Sequence, residues 1–461
     1  MAHITVADQE QRTQIRRSVL ASMAGGVLEW YDFILYGNAA ALIFGQLFFP
    51  KFSPLAGTLA AFATYAVGFF ARPFGGIIFG YLGDKLGRKP ILLLTVVLMG
   101  IATFCMGLLP TYAAFGIGAP ILLVLLRLLQ GLSGGAEQSG AVIFVSEFAP
   151  EKRRAFYASL PLVGIQIGIL VAAGVWAIFS SLPKAEFLSW GWRVPFLLSI
   201  VVVGLGLYLR SQLKETPAFT EVKRAHAETR APIAEIFRTS ATRKDFFLAF
   251  GARIGENGGS YIFLTFVLAY LVQLGVPSKI GLVGVILTSA VAVFTLPLFG
   301  MLSDRIGRRP VFMGAAAFML VFAFPYFWLL NTKSPLLIVV AMILSYTIGT
   351  MGMLAAELAF FCELFPTRLR YTGVALAREL SAPIAGGIAP FIAVALLAWS
   401  GGQVWPVVVY VMVMALISLV SVSLAPETYR RNLKHIHRMS GEERHDTSTM
   451  RESPRSLSSM K

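Results

Sequence analysis

Gly80-Tyr-Leu-Gly-Asp84-Lys-Leu-Gly87-Arg88-Lys89-Pro90 recurs at an offset of 220 residues as Gly300-Met-Leu-Ser-Asp304-Arg-Ile-Gly307-Arg308-Arg309-Pro310. Both copies are short, basic, glycine-containing turns that join two long apolar segments. A second pair keeps nearly the same register: Glu147-Phe-Ala-Pro150-Glu-Lys-Arg-Arg154 returns as Glu363-Leu-Phe-Pro366-Thr-Arg-Leu-Arg370, at an offset of 216. In each, proline ends one helix and arginine opens the next, where the glutamate at the helix end can pair with it. Two motif pairs at one offset imply a half-length duplication into homologous bundles of about 200 residues. Many secondary transporters build a site between two such halves.

The chain has 461 residues and is 56% hydrophobic, a composition that belongs to membrane proteins. Twelve apolar segments are long enough to cross a ~30 Å hydrocarbon core. They lie at about 19–48, 55–82, 90–110, 119–146, 155–180, 191–211, 246–273, 280–302, 310–330, 335–364, 370–398 and 403–424. Their connections are too irregular for barrel hairpins, and the ~10-residue alternation of a barrel strand is absent. The expected fold is an all-α membrane protein of twelve transmembrane helices in two pseudo-symmetric six-helix bundles.

A net charge of +15 raises nucleic acid as a partner, but the placement of the charge excludes it. Of the 39 Lys and Arg, 30 fall in the N-terminus, the even-numbered loops and the C-terminal tail. The opposite loops hold five: Lys51, Lys184, Arg193, Lys279 and Lys333. The positive-inside rule places both termini in the cytoplasm. Arg16-Arg17 before the first span resembles an export signal, yet no cleavage site follows, so a retained first helix is expected. Cys105 and Cys362 fall within spans and imply no disulfide framework. The polar connector 212–245 divides residues 1–211 from 246–430, and the tail 431–461 is expected to be cytoplasmic and disordered from about 440.

These residues resemble the major facilitator superfamily, whose signature Gly-x-x-x-Asp-x-x-Gly-Arg-Lys fits the loop between spans 2 and 3 and is echoed between spans 8 and 9. Arg127-Leu-Leu-Gln130-Gly131 in span 4 is similar to a second motif of that superfamily. Within it, Glu29-Trp30-Tyr31-Asp32-Phe33 and Ser189-Trp-Gly-Trp192-Arg193-Val-Pro195-Phe196 resemble the metabolite:proton symporters. The resemblance implies alternating access in a bacterial inner membrane and uptake of a small organic acid or osmolyte such as shikimate, α-ketoglutarate, citrate, proline or betaine. Protons would be the coupling ion, with no cofactor, and monomers suffice for the architecture. It also implies that Asp84 and Asp304 are latch residues, completing an inner gate with Arg88, Arg308, Glu147 and Glu363 near Arg154 and Arg370.

Ten ionisable residues fall inside the spans: Glu29, Asp32, Arg72, Arg127, Glu137, Arg253, Glu256, Glu357, Arg378 and Glu379. Each costs about 2.5–3.5 kcal/mol at a lipid-facing helix centre, so most must face protein or a wet cavity. Four arginines against six carboxylates leave two carboxylates over, the natural proton carriers. His3, His226, His435, His437 and His445 all lie in termini or the middle loop, so a carboxylate rather than an imidazole must carry the proton. Glu29 and Asp32 share one face of span 1, as proton site or as an ion pair with Arg72 or Arg127. Arg127 reads as a substrate-carboxylate anchor, a proton-relay switch or a structural pair. Arg253 and Glu256 neutralise each other at i,i+3 or contact substrate, and Glu137 lies among Gly134, Gly135 and Gly140 at a helix contact or the cavity. Arg378 can bridge to Glu357 between spans 10 and 11, as a lock that opens or as permanent packing. Trp30, Tyr31, Tyr36, Tyr261 and Tyr346 can line a pocket or pack a core.

An enzyme is not expected: the spans hold neither a Gly-x-x-x-x-Gly-Lys-Ser/Thr phosphate loop nor a histidine metal constellation, and no Gly-x-Ser-x-Gly elbow is evident. No segment can supply the nucleotide-binding domain of a pump. Intramembrane arginines favour anionic substrates, because a desolvated guanidinium binds carboxylate through two parallel hydrogen bonds. The rivals to organic-acid symport are osmolyte symport and efflux by antiport.

Overall fold

The computed structural model describes residues 6–86, 88–135, 153–211 and 236–429. Among these, every regular element is helical, in twelve successive segments. Helix α1 runs Val6–Ala39 and continues through a wider, π-helical turn at Ala40–Phe44 into Gly45–Phe48. Helices α2 (Pro54–Leu86), α3 (Arg88–Leu108), α4 (Gly118–Gly134) and α5 (Arg154–Ser180) follow. Helix α6 (Ser199–Ser211) is preceded by short turns over Lys184–Glu186, Phe187–Gly191 and Arg193–Leu197.

The second half opens with α7, made of Ser240–Tyr261, a π turn at Ile262–Phe266, and Val267–Gln273. Then come α8 (Ser278–Ile306), α9 (Arg308–Asn331), α10 (Pro335–Leu364), α11 (Thr367–Ser381, Ala382–Gly387, Ala389–Trp399) and α12 (Trp405–Ser423). Eight of these meet the length and apolarity of a membrane span outright. Within α3 and α4, Leu93–Leu108 and Gly118–Gly134 are shorter apolar stretches. Helices α1 and α7 fall below that apolarity because they carry Glu29, Asp32, Arg253 and Glu256.

The outer surface is apolar: Val321, Phe324 and Trp328 on α9 expose 75%, 67% and 63% of their surface, on one stripe at i, i+3, i+7. In water such a belt would be an interaction patch; here it is the lipid contact. Inward, helices approach closely through glycine. A Cβ on Gly131 of α4 would lie 1.9 Å from the carbonyl oxygen of Gly68 on α2, so only hydrogen fits. That contact fixes α4 against the aromatic face of α2. At the mouth of α6, the buried Trp192 packs beneath Arg193, whose guanidinium donates to the carbonyls of Gly107 (2.9 Å) and Leu109 at the end of α3. Tyr31 ties α1 to the same corner by donating to the Pro195 carbonyl at 2.8 Å. The Ser189–Phe196 stretch is thus a corner that holds α1, α3 and α6 together.

Between the halves, α5 packs along α8 and α2 against α11. A cavity of about 370 Å³ remains at the end opposite the basic loops, lined among others by Ala41, Thr58, Phe266, Tyr270 and Val394. Gly131→Ala should lower thermal stability by an amount typical of overpacking, ~1–3 kcal/mol. Gly174→Ala, whose Cβ would meet nothing within 4 Å, should leave the melting temperature unchanged. Equal melting temperatures for the two variants in detergent would refute the close α2–α4 contact.

Candidate functional site

At mid-length of the helices the two halves meet through charge. Arg72 of α2 donates from Nη1 to Glu29 Oε1 of α1 at 2.8 Å and from Nε to Glu379 Oε2 of α11 at 3.1 Å. All three residues are buried. The bond to Glu379 spans the seam and is one of the few ionic links between halves at this depth. On the other side of the seam Arg253 of α7 donates from Nη1 to Glu256 (2.9 Å) and Glu357 (2.7 Å). Arg378 of α11 donates to the same Glu357 Oε1 at 2.8 Å. Glu357 of α10 therefore gathers two guanidinium groups, and the i,i+3 pairing of Arg253 with Glu256 is only part of a larger net. Asp32 is buried one turn beyond Glu29 on α1.

Arg127 of α4 differs from the other three arginines. It is wholly buried, yet among the described residues no carboxylate reaches it. Its Nη1 donates to Gln130 Oε1, Nε makes a long 3.4 Å contact with the Tyr65 carbonyl, and Nη2 has no partner. Gln130 is held in turn by donating to Thr103 Oγ1 at 2.8 Å. Four rings crowd the guanidinium: Tyr36 at 4.4 Å, Phe33 at 4.6 Å, Tyr65 at 4.7 Å and Phe69 at 5.7 Å from Cζ. Phe33 also touches the Arg72 guanidinium, at 5.3 Å. Cation–π attraction can return ~2 kcal/mol when desolvated, less than the several kcal/mol lost on burying a cation. The arrangement is electrostatically incomplete, and an anion would complete it.

The rest of the seam is aromatic and polar. Trp30 of α1 stacks on Tyr261 of α7 with centroids 5.9 Å apart, and Tyr261 also meets Phe69 at 5.1 Å and Tyr65 at 6.0 Å. Tyr36 bonds Thr64 (2.6 Å), and Gln166 of α5 bonds Tyr346 of α10 (3.2 Å) across the halves. Of the five aromatic residues singled out by sequence, four thus lie on or beside the seam, whereas Tyr31 serves the α6 corner. The π turns of α1, α7, α10 (Ser345–Thr350) and α11 (Ala382–Gly387) all interrupt helices that line this seam, where such turns often mark functional sites.

At the end carrying the basic loops, the halves are latched. Arg154 of α5 donates to Glu363 Oε1 of α10 at 2.8 Å, and Arg308 of α9 donates to both oxygens of Glu363 and to Asp304. Asp304, at the end of α8, accepts from the backbone N–H groups of Ala155 (3.0 Å) and Phe156 (2.9 Å), so it caps α5 across the seam. The pairing of Glu363 with Arg370 expected from local spacing does not form. Glu363 is turned to Arg154, Arg308 and Thr428, while Arg370 donates from Nε to the Cys362 carbonyl at 2.7 Å. The geometry favours Arg154 and Arg308 because they come to Glu363 where α10 ends, from α5 and α9. Glu137 and Glu147 lie outside the described residues, as do the side chains of Asp84 and Arg88, the connector up to 235 and the tail from 430.

Sequence reading overlooked Glu427 and Thr428. Glu427 accepts from the backbone N–H groups of Arg308 and Arg309, both at 3.0 Å, and so caps α9; Thr428 donates to Glu363 Oε2 at 2.8 Å. Gly307, at φ +110°, makes the turn that exposes those N–H groups, and a Cβ there would lie 2.7 Å from Glu427. The one signal was an acidic residue standing just ahead of a basic tail. The cross-seam roles of Arg72 and Gln166 were likewise not readable from spacing.

The "Sugar (and other) transporter" family matches residues 18–252 and 220–440 of this chain. The chain is 39% identical to the shikimate transporter of Escherichia coli (strain K12), over 91% of its own length and 96% of that protein. It is 38% identical to the glycine betaine/proline/ectoine/pipecolic acid transporter of Dickeya dadantii (strain 3937), over 94% and 86%. The fold superposes on the proton:xylose symporter of the major facilitator superfamily bound to 6-bromo-6-deoxy-D-glucose with a TM-score of 0.72 at 17% identity, covering 93% of this chain and 99% of that one. With a duplicated twelve-helix bundle, a charged seam and relatives that are transporters and not enzymes, the chain belongs to the sugar (and other) transporter family of the major facilitator superfamily and is a multi-pass membrane transporter.

Proposed function

We propose that the protein imports a small organic acid together with protons across a bacterial inner membrane, with both termini in the cytoplasm. Residues 1–211 would rock against 246–430 around the seam. The single observation that carries this reading is Arg127, a wholly buried cation with an unused Nη2 and no carboxylate partner among the described residues. A guanidinium so placed binds a carboxylate strongly. The shikimate transporter's similarity is consistent with an acid, whereas the betaine and proline relatives favour a zwitterion as the second reading.

Proton coupling follows from charge balance. Among the described spans, Glu29, Asp32, Glu256, Glu357 and Glu379 stand against Arg72, Arg127, Arg253 and Arg378, so one carboxylate is in excess. A substrate anion seated on Arg127 adds another negative charge to the core, and a proton taken up by a seam carboxylate offsets it. Glu379 is well placed for this. Protonating it releases Arg72 from the opposite half and loosens the seam while substrate is bound. At the basic end, Asp304, Arg308, Glu363 and Arg154 would form the cytoplasmic gate, which must open for release.

In proteoliposomes, an inward pH gradient should drive accumulation of one acid from a panel of shikimate, benzoate, α-ketoglutarate, citrate and betaine. Glu379→Gln should abolish gradient-driven accumulation while keeping exchange of internal for external substrate. Accumulation by Glu379→Gln at the wild-type level would remove that residue from coupling. No gradient-driven uptake of any acid, with extrusion of unrelated hydrophobic compounds instead, would overturn the reading in favour of antiport.

The gate can be tested separately. Ser159 of α5 is buried against Gly300 of α8, so a Ser159→Cys reporter in a Cys105→Ser, Cys362→Ser background should react slowly with a maleimide. Glu363→Gln strips charge from Arg154 and Arg308; a buried pair broken on one side costs ~3–5 kcal/mol. Even half of that cost, shifted toward the open gate, should raise labelling about tenfold, at ~1.4 kcal/mol per decade. Unchanged labelling would show that the latch does not hold the inner end closed.

A further inference from the structure

Resting on the organic-acid reading, we infer that the substrate carries a single carboxylate and no positive charge, on a flat or ring-shaped body. Four intramembrane arginines are described, and three are already matched. Arg72 is held by Glu29 and Glu379, Arg253 by Glu256 and Glu357, and Arg378 by Glu357. That leaves Arg127 as one anchor among the described residues. Of its five N–H groups, one is directed to Gln130 and one to the Tyr65 carbonyl. The remaining N–H of Nη1 and the pair on Nη2 form an open fork, which fits the two oxygens of one carboxylate.

Among the described residues a second carboxylate would find no free intramembrane cation. It would enter a core that already holds five described carboxylates against four arginines, and could be matched only by taking Arg72 or Arg253 from its partners. A substrate ammonium finds no free ring face beside Arg127. The aromatic surfaces that would receive it, on Phe33, Tyr36, Tyr65 and Phe69, are occupied by the protein's own guanidinium. The wall next to this box is aromatic too: Tyr261 lies between Trp30, at 5.9 Å, and Phe69, at 5.1 Å. An uncharged ring packs there while its carboxylate reaches Arg127, and the Gln130–Thr103 bond keeps the guanidinium edge in place.

The test uses the purified full-length protein and thermal melting as the binding readout. Probes are shikimate, benzoate, cyclohexanecarboxylate, methyl benzoate, α-ketoglutarate, citrate and betaine. At least one monocarboxylate should raise the melting temperature in a saturable way, and the methyl ester and the di- and tricarboxylates should not. Arg127→Lys keeps the charge but loses the fork, and should weaken that monocarboxylate at least tenfold. Binding of α-ketoglutarate, citrate or betaine as tight as that of every monocarboxylate would overturn the inference, as would no monocarboxylate binding, or an ester that binds like its acid. Should Arg127→Lys fail to fold, the acid-against-ester comparison on the wild type decides alone. Gradient-driven uptake of a dicarboxylate would sink this inference and leave acid symport standing, whereas no acid uptake at all would sink both.

Discussion

Arg72 lies between Glu29 and Glu379, and the requirement that a buried charge be matched governs the rest of this molecule. In a low-dielectric core, a guanidinium stripped of one partner is a large cost, so the α2 arginine both stabilises α1 and pulls α11 across the seam. Every intramembrane charge among the described residues follows from that demand: it faces inward, and with the exception of Arg127 each arginine has a carboxylate within 3.1 Å. The lipid-facing stripes can then be wholly apolar. Helices α1 and α7 take up the charge and give up apolarity, so the spans a hydropathy rule ranks lowest are the ones that line the seam.

The same physics works at lower stakes at the basic end. Asp304 on the N-terminus of α5 and Glu427 on that of α9 are helix caps made by carboxylates from elsewhere in the chain. Each cap contributes about 0.5–2 kcal/mol, and macrodipole attraction about 0.3–1 kcal/mol more at an exposed end. These caps stand beside the buried bridges of Glu363 to Arg154 and Arg308, so weak contacts and a strong one meet at this end. On the proposed reading the caps can exchange for water as this end opens, and the buried bridges of Glu363 to Arg154 and Arg308 carry most of the cost.

The fold was legible because its signals are local or repeated: the two turn motifs, the length of the apolar runs, and the side on which lysine and arginine accumulate. The charges that meet at the seam were legible as residues, since an ionisable side chain inside a span is conspicuous against an apolar background. Their partners were not. Arg154 and Glu363 are 209 positions apart, and Arg72 and Glu379 are 307 apart, so no spacing rule connects them. The local pairing of Glu363 with Arg370 failed for the same reason, because helix-end geometry rather than sequence distance chose Arg154 and Arg308. Glu427 escaped notice because its ligands are backbone N–H groups, which leave no mark in a sequence.

One asymmetry links site to mechanism. The half containing α1 to α6 holds the aromatic box and its unmatched Arg127, whereas the half containing α7 to α12 holds the closed net of Arg253, Glu256, Glu357 and Arg378. A duplicated bundle began with equal halves, yet an anion and a proton make different demands. An anion needs an unoccupied hydrogen-bond fork; a proton needs a carboxylate whose neutralisation changes what an arginine is bound to. On the proposed reading the first demand falls on one half and the second on the other. On that reading Arg72 is the bond through which they would communicate, because it stands against Phe33 of the aromatic box and reaches Glu379 beside Arg378. Filling the box and protonating the net then act on one side chain from two directions, and a binding event on α4 can alter the grip between α2 and α11 without any contact of its own to α11.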